Sequence, residues 1–476
     1  MAFGNLKSTI GSKIHFIGIG GIGMSALAFL LKKINVEAQG SDLSQNYITD
    51  RLKLQNIEVF QGHDAKNITS DISLIIKTSI IKDSNPEIVE AKNKNIKIIT
   101  RAQLLAMVMQ EKKSITIAGT HGKTSTTGIL SAIIEEAGLD PIVINGGVIN
   151  NYDSNFKLGN GDYIIAESDE SDGSFIDLPS FCGAVTNIEP EHLDFYDQDF
   201  EKQKSYFKRY IEQIQNQENG ICALCVDSKE VKNMIQTLAG QNNIATYSVQ
   251  EDSGADFTAI NIELNNLGSK FDVKIAENNQ IIKDVFIPAY GVHNVSNALA
   301  SIIIANHLKI DENAIKNGLK SFSGVKRRFT KVGEFNGCAI IDDYAHHPTE
   351  VAALISSAKQ FVGDKKVVLV LQPHKYTRVR DLFEEFCDCV SAADRVILCD
   401  IHTTGQEPIK GATKEDLFEG IQKIIGDRVI LPENNDQIAR ILKENIESGD
   451  LILCAGAGTI TSIAKNLESS LEASVH

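Results

Sequence analysis

Along most of the chain, short β-branched and apolar runs alternate with stretches whose apolar positions recur at helical spacing. That pattern predicts α/β domains built on parallel sheets. Three of the runs pass through glycine into a helix. The first is Lys13–Ile19, then Gly20-Gly21-Ile22-Gly23, then a helix through Leu31. The second is Ser114–Ala118, then Gly119-Thr120-His121-Gly122-Lys123-Thr124, then a helix ending near Gly138. The third is Leu451–Ala455, then Gly456-Ala457-Gly458, then a helix from about Thr459. The pattern breaks near Gln110–Lys113 and again near Ser323–Gly324, which divides the chain into domains 1–110, 111–323 and 324–476. Between Asp256 and Ile287 polar and apolar residues alternate around an Asn-Asn-Leu-Gly turn, predicting a β-hairpin insertion. No internal repeat or low-complexity tract is evident.

Composition narrows the classes. The length of 476 residues suits about three domains, and 42% hydrophobic with 23% charged residues is ordinary for a folded protein. No apolar run is long enough to span a bilayer, and Met1–Ser12 lacks the apolar core of a secretion signal. The expectation is a cytoplasmic protein with no membrane insertion. With 47 Lys plus Arg against 62 Asp plus Glu, the net charge is −15. That argues against a nucleic-acid partner but leaves room for a local phosphate site. The eight cysteines fall mostly inside apolar runs and read as buried free thiols. Cys222 and Cys225 have CxxC spacing without a second pair, so no metal or redox role is assigned to them.

The second glycine turn carries the strongest chemistry. A phosphate chain needs backbone N–H groups at close range and the partial positive charge of a helix start, and Gly119-Thr-His-Gly-Lys-Thr124 offers both. Lys123 would reach the β- and γ-phosphates, with the Thr124 hydroxyl on Mg²⁺. The standard phosphate loop has a glycine where this chain has Ile117, so the loop is two residues shorter, GxxGK[ST]. An exposed Lys at an ordinary helix start is the bland alternative, and the strand before and Thr-rich helix after argue against it. The first turn, Gly18-Ile-Gly-Gly-Ile-Gly23 with Asp42 after the next strand, is a dinucleotide-type fingerprint that fits NAD, another nucleotide or a tight turn alone. Two acidic clusters close apolar strands: Glu167-Ser-Asp-Glu170-Ser-Asp172 and Glu189-Pro-Glu191-His192-Leu-Asp194. At the carboxyl ends of adjacent strands they would suit Mg²⁺ beside a triphosphate; otherwise they are solvated acidic loops. In the last third, Asp342-Asp-Tyr-Ala-His-His347-Pro and Gln372-Pro-His374-Lys-Tyr-Thr-Arg378-Val-Arg380 also follow strands, and their cations favour anionic substrate groups.

Taken together, these segments resemble the Mur ligases over nearly the whole length. The resemblance rests on IGIGGIGMSALA (17–28), GTHGKTSTT (119–127), AESDESDGSF (166–175), TNIEPEHLD (186–194), GVHNVSNALA (291–300), DDYAHHPTEV (342–351) and PHKYTRVRDL (373–382). The first of these sets the chain apart from the related ligase that attaches a recycled tripeptide. The resemblance implies a Rossmann-like N-terminal domain for a UDP-sugar, a central P-loop mononucleotide-binding ATPase, and a C-terminal Rossmann-like domain that closes over the site. It implies ATP and Mg²⁺, with UDP-N-acetylmuramate and L-alanine as substrates, joined through an acyl phosphate. The first glycine turn (Gly18, Gly20, Gly21, Gly23) would then hold the UDP diphosphate, with Asp42, Thr78, Ser79 and Arg101 in the same pocket. Gly119, Thr120, His121, Gly122, Lys123, Thr124 and Ser125 would bind ATP phosphates. His293, Asn294 and Asn297 would lie near adenine, and Arg328 and Asp343 would reach ATP from the C-terminal side. Thr124, Glu167 and His192 would hold the metal, with Glu170 as the alternative acidic ligand. His347, Arg378 and Arg380 would face the substrate carboxylates and acyl phosphate, alongside Lys123, Glu167 and His192 as catalytic residues. Lys375 and Thr459 depart from the family pattern. A homodimer is left open, and so is the base for the alanine ammonium. Lys204 and Lys208 follow the His-Leu-Asp motif, where related ligases carry a carbamylated lysine, and neither is assigned that modification. The competing classes are another amino-acid ligase of the family, an NAD-dependent oxidoreductase and a non-catalytic nucleotide-binding module.

Overall fold

The computed structural model describes residues 3–78, 80–238, 240 and 242–473. Five parallel strands form the first sheet: β1 (Lys13–Ile17), β2 (Glu37–Asp42), β3 (Glu58–Gln61), β4 (Leu74–Lys77) and β5 (Lys97–Thr100). Their order is β3-β2-β1-β4-β5, so the chain reverses direction across the sheet beside β1. Crevices at the carboxyl ends of strands at such a reversal are where α/β sheets bind ligands. The first glycine turn follows β1 and enters the helix Ile22–Lys33.

The second sheet has ten strands. They are β6 (Lys113–Ala118), β7 (Ile142–Ile149), β8 (Ser154–Lys157), β9 (Tyr163–Glu167), β10 (Cys182–Val185), β11 (Ile221–Cys225), β12 (Ile244–Ser248), β13 (Phe257–Asn265), β14 (Gly268–Ile275) and β15 (Gln280–Ile287). The order is β15-β14-β13-β12-β11-β10-β6-β9-β7-β8. The acidic clusters end β9 and β10, which are not neighbours as the sequence suggested. Both pair with β6 instead, in parallel, one on each side. This corrects the expectation usefully, because each cluster now flanks the phosphate loop that follows β6. The predicted hairpin is three strands in succession, β13 to β15, with a second turn at Glu277-Asn278-Asn279.

The third sheet comprises β16 (Thr330–Phe335), β17 (Cys338–Asp343), β18 (Val367–Leu371), β19 (Arg395–Leu398), β20 (Val429–Ile430) and β21 (Leu451–Ala455). Its order is β16-β17-β21-β18-β19-β20, parallel apart from β16. All five residues of β18 and of β21 are buried, as expected of strands covered on both faces.

Two compact units emerge from the packing. One is Met1–Ile260, Asp272–Val285 and Ser296–Ser323; the other is Asn261–Phe271, Phe286–Val295 and Gly324–His476. In the first unit the N-terminal and central sheets share one core, where Ile14, Phe16, Leu27 and Leu31 join Ile142, Ile144, Ile164 and Leu178. Asn155 also donates to the Ile22 carbonyl (2.7 Å), tying β8 to the start of the helix Ile22–Lys33. The eight cysteines are free, and all but the partly exposed Cys389 are buried. Among the described residues no helix is long and apolar enough to cross a membrane.

Candidate active site

β6 ends at the phosphate loop, and two features there admit only glycine. Gly119 has φ +131°, and a Cβ on it would lie 2.0 Å from Thr186 Oγ1. Gly122 has φ +84°, and its Cβ would lie 2.7 Å from Asn297 Oδ1. Asn297 therefore packs against the phosphate loop itself. The loop is stapled to the segment after β10. His121 N–H donates to Asn187 Oδ1 (2.8 Å), Thr186 Oγ1 donates to the His121 carbonyl (2.6 Å), and Glu189 N–H donates to Thr120 Oγ1 (2.8 Å). The helix Lys123–Glu136 begins at the loop, with Thr124 buried and Ser125 half-buried in its first turn.

Lys123 Nζ donates to the carbonyls of Gly119 (2.6 Å) and Thr120 (2.9 Å) and to Glu170 Oε2 (2.7 Å). All three ammonium protons thus have protein partners. Glu170 is 1% exposed, and burial pushes its carboxyl up to about 7 even though Lys123 pulls the other way. Burial likewise opposes the charge of Asp169, but Lys123 and the Ser171 N–H outweigh it and hold that carboxyl below its ordinary range. Arg101 and His192 pull in the same direction. Tyr196 OH donates to the Glu170 carbonyl and pins the loop from beneath.

Glu167 ends β9, and its Oε2 accepts Gly146 N–H from β7 (2.8 Å). A Cβ at Gly146 would stand 2.4 Å from that oxygen. His192 is exposed and has φ +55°, a left-handed conformation uncommon for a residue with a side chain. Lys204 pairs with Glu201 (2.5 Å) and Glu230 (3.1 Å), and Lys208 lies 3.9 Å from Glu212 and donates to the Thr237 carbonyl (3.0 Å), so both lysines have partners in or just after the helix Lys229–Ile235.

The N-terminal turn is held largely by its own protein. Gly18 and Ile19 N–H donate to the Ser41 carbonyl (2.8 and 3.0 Å), and Gly20 N–H donates to Asp42 Oδ2 (2.8 Å). Gly21 N–H returns to the Gly18 carbonyl (3.2 Å). The amides left for a ligand are those of the first turn of the helix, from Ile22 through Met24, which no helix can pair internally. Asp42 is a brace for the turn. Thr100 and Gln103 form a capping box that sets Arg101 at the first position of the next helix. Its guanidinium lies over Gly23, with Nη1 3.0 Å from where a Cβ would be. Thr78 Oγ1 is buried without a partner in the same region. Ser79 lies outside the described residues.

In the second unit, Asp343 Oδ2 accepts Phe329 N–H (2.6 Å) and Oδ1 accepts Ala345 N–H (2.7 Å). Burial pushes its carboxyl up to about 6, against the pull of Arg328. Arg328 lies 3.9 Å from Glu350 and over the Tyr344 ring. His347 is buried and caps the helix Pro348–Val362 through its Nδ1. Arg378 Nη1 meets His374 Nδ1 (3.1 Å) and the His374 carbonyl (3.2 Å), whereas Arg380 pairs with Asp381 on the surface (2.7 Å). His374 stacks on His402 at 5.5 Å, and burial with the neighbouring cations lowers its pKa to about 3. It is a permanent acceptor for Arg378. Asn294 Nδ2 contacts the Tyr290 carbonyl (2.8 Å) and His293 Nε2 (3.2 Å).

The third glycine turn differs from the first two. Gln372 Oε1 accepts Ile460 N–H (2.9 Å) and Gln372 Nε2 donates to Thr459 Oγ1 (2.9 Å), so a side chain already occupies the helix start. Sequence reasoning missed this plug, along with Gly146 and the His374–His402 pair. For Gly146 a signal existed: a double glycine inside a strand marks a close backbone approach. His402 reaches His374 only through the pairing of the segments after β18 and β19, which sequence does not display.

Three family models match: "Mur ligase family, catalytic domain" over residues 13–113, "Mur ligase middle domain" over 117–305, and "Mur ligase, glutamate ligase domain" over 327–458. The UDP-N-acetylmuramate–L-alanine ligase of Rhodospirillum centenum is 41% identical over 464 residues, covering 97% of this chain and 94% of that protein. That of Phenylobacterium zucineum is 43% identical over 464 residues, covering 97% and 95%. The crystal structure of UDP-N-acetylmuramate-alanine ligase from Thermotoga maritima superposes with a TM-score of 0.82 at 26% identity, covering 98% of this chain and all of that one.

Proposed function

Because this chain belongs to the Mur ligase family, we propose that it joins L-alanine to the lactyl carboxylate of UDP-N-acetylmuramate, consuming ATP and releasing ADP and phosphate. ATP dependence is a property of the family. The observation that carries the reading is the phosphate loop built between the ends of β9 and β10, in a chain 41–43% identical to alanine-adding ligases over 97% of its length. Residues 1–110, 111–323 and 324–476 are assigned to the UDP-sugar, to ATP, and to alanine with closure over ATP.

A carboxylate and an amine do not condense at neutral pH, because oxide is too poor a leaving group. Transfer of the γ-phosphoryl to the lactyl carboxylate gives an acyl phosphate and ADP. The neutral alanine amine then attacks the acyl carbon, and phosphate leaves from the tetrahedral intermediate. The first step is an in-line displacement, so positioning and charge neutralisation carry most of its catalysis. Lys123 must exchange at least one of its three protein partners for phosphate oxygens. Glu170 then keeps a buried carboxyl behind it. The amides of Ile22 to Met24 and the Arg101 guanidinium receive the diphosphate of the sugar. Arg378, held by the neutral His374, meets carboxylate or acyl-phosphate oxygens. His347 lies near that anion as the cap of its helix, and Arg380 joins it by leaving its surface pair with Asp381.

Thr124, Glu167 and His192 are the residues that would hold Mg²⁺. Two of the three fit directly, since the Thr124 hydroxyl and the Glu167 carboxylate are hard oxygen donors and Gly146 N–H fixes the carboxylate in place, while His192 offers an exposed imidazole nitrogen. When bound, the ion supplies positive charge to the phosphates. The eight free cysteines and the use of ATP suit the reducing cytoplasm. The test is phosphate release from ATP with each amino acid, with and without UDP-N-acetylmuramate. L-Alanine should give the highest kcat/KM and release should require the sugar. Glycine should be used at a reduced rate, since one methyl is worth only ~1–3 kcal/mol. Preference for an alanyl tripeptide would overturn the reading.

A further inference from the structure

The N-terminal sheet buries a set of titratable side chains that the reaction does not use. Glu87, in the first turn of the helix Pro86–Asn93, is 0% exposed. Its carboxylate accepts Ser41 Oγ (2.6 Å) and Asn67 Nδ2 (2.7 Å), with His15 Nε2 at 3.4 Å and His63 Nδ1 at 3.3 Å. Burial opposes its charge, but His15, Ser41 and Asn67 outweigh that cost and keep its carboxyl below the ordinary range. The hydrogen-bond polarities follow from one another. Gln39 Nε2 faces the Asn67 carbonyl (3.2 Å), which fixes its amide as a donor toward His15 Nδ1 (3.2 Å). The His15 proton therefore sits on Nε2, facing Glu87. Ser41 gives its proton to Glu87, so His63 Nδ1 donates to Ser41 Oγ (2.9 Å).

The network tethers the carboxyl end of β2, and the glycine turn hangs from that end. The Ser41 carbonyl takes Gly18 and Ile19 N–H, and the next residue, Asp42, takes Gly20 N–H. An apolar plug would fill the space below β2 without burying a charge, and such replacements often stabilise a protein. What the carboxylate adds is direction, because four polar groups from separate segments converge on it.

We propose that Glu87 is a positioning residue for the UDP-sugar: through Ser41 and Asp42 it sets the glycine turn, and with it the aim of the Ile22–Met24 amides at the diphosphate. This rests on assigning that turn to the UDP-sugar. Glu87→Gln keeps the size and still accepts from Asn67, but it presents an NH₂ where the carboxylate accepts the Ser41 hydroxyl, 3.3 Å from His63 Nδ1. Ser41→Ala removes only the oxygen linking the carboxylate to β2.

The experiment measures the Kd of UDP-N-acetylmuramate for the full chain, KM for all three substrates, and thermal unfolding. Both variants should weaken UDP-N-acetylmuramate on the order of tenfold, the loss expected from misaiming one charged hydrogen bond. KM for ATP and for alanine and kcat should hold within about twofold, and the double variant should be no worse than Glu87→Gln alone. A lowered melting temperature with unchanged Kd and KM for the sugar would overturn the proposal and leave Glu87 a structural residue. If Glu87→Gln does not fold, Ser41→Ala decides by the same criterion. Gly20→Val is the control on the underlying assignment. If neither Gly20→Val nor Glu87→Gln alters sugar binding, the turn is not the sugar site. If only Gly20→Val does, the site stands and the role of Glu87 falls.

Discussion

Replacing Lys123 separates two charges that the fold buries together. Its ammonium is spent on Gly119 O, Thr120 O and Glu170 Oε2 at 2.6, 2.9 and 2.7 Å. Glu170 is 1% exposed, so Lys123→Ala leaves a buried carboxylate without its cation. Stranding a buried charge costs about 3–5 kcal/mol for as long as the charge persists. Glu170 escapes by taking up a proton. Burial already pushes its carboxyl from 4.5 to about 7 against the pull of Lys123, and losing that pull pushes it higher. A carboxyl raised on folding binds more protons folded than unfolded, so its contribution is fully favourable at low pH. That stability is lost as pH rises from about 4.5 through the folded value, with a slope reaching about 1.4 kcal/mol per pH unit. Wild type shares that loss up to its own folded value of about 7, so the deficit of Lys123→Ala should be constant below pH ~7 and widen from there toward pH ~8.5. The double variant Lys123→Met/Glu170→Gln removes both charges and should recover stability across that range. It should not recover turnover, which stays down about 10²–10³-fold, ~2.7–4 kcal/mol, for want of the cation on the γ-phosphoryl. Thermal unfolding across pH, with turnover measured on the same preparations, checks both. An equal melting deficit at every pH would refute the buried-pair argument.

Gly20→Val should raise KM for UDP-N-acetylmuramate and leave KM for ATP unchanged. Its side chain would push into Asp42 Oδ2 and Thr49 Cγ2, 2.8 and 2.9 Å from the added Cβ, so the damage reaches the diphosphate by displacing the brace. Glu167→Ala should lose turnover that rising Mg²⁺ partly restores, while the Lys123→Ala defect should not respond to the metal. Gly146→Ala should mimic it in weaker form, since the added Cβ comes 2.4 Å from Glu167 Oε2. Identical Mg²⁺ titrations for wild type and Glu167→Ala would move the acidic ligand to Glu170.

The three glycine turns were legible because strand, glycine and helix start lie within a dozen residues of one another. Which turns are open was not, because the groups that fill them come from afar. Asp42 braces the first turn from the next strand, and Gln372 closes the third from 88 residues away in sequence. Strand order is hidden for the same reason. Nothing local says that β6 lies between β9 and β10, yet that insertion is what brings Glu167 and the His192 loop to either side of Lys123. Asn85-Pro86-Glu87 looks like a solvent-facing helix start, with a cap, a Pro at the first position and an acid in the first turn. Its burial appears only when Ser41, Asn67 and the two histidines converge on it. The third strand of the insertion was within reach, since Asn278-Asn279 is a turn signal as clear as the one before it.

Trapping the intermediate tests the central claim most directly. With ATP, Mg²⁺ and UDP-N-acetylmuramate but no alanine, hydroxylamine should convert the lactyl carboxylate into a hydroxamate, detected by mass, with one ADP and one phosphate formed per hydroxamate. Lys123→Ala should lower the rate of trapping in step with its loss of turnover. Formation of AMP and pyrophosphate in place of ADP and phosphate would contradict the acyl-phosphate account.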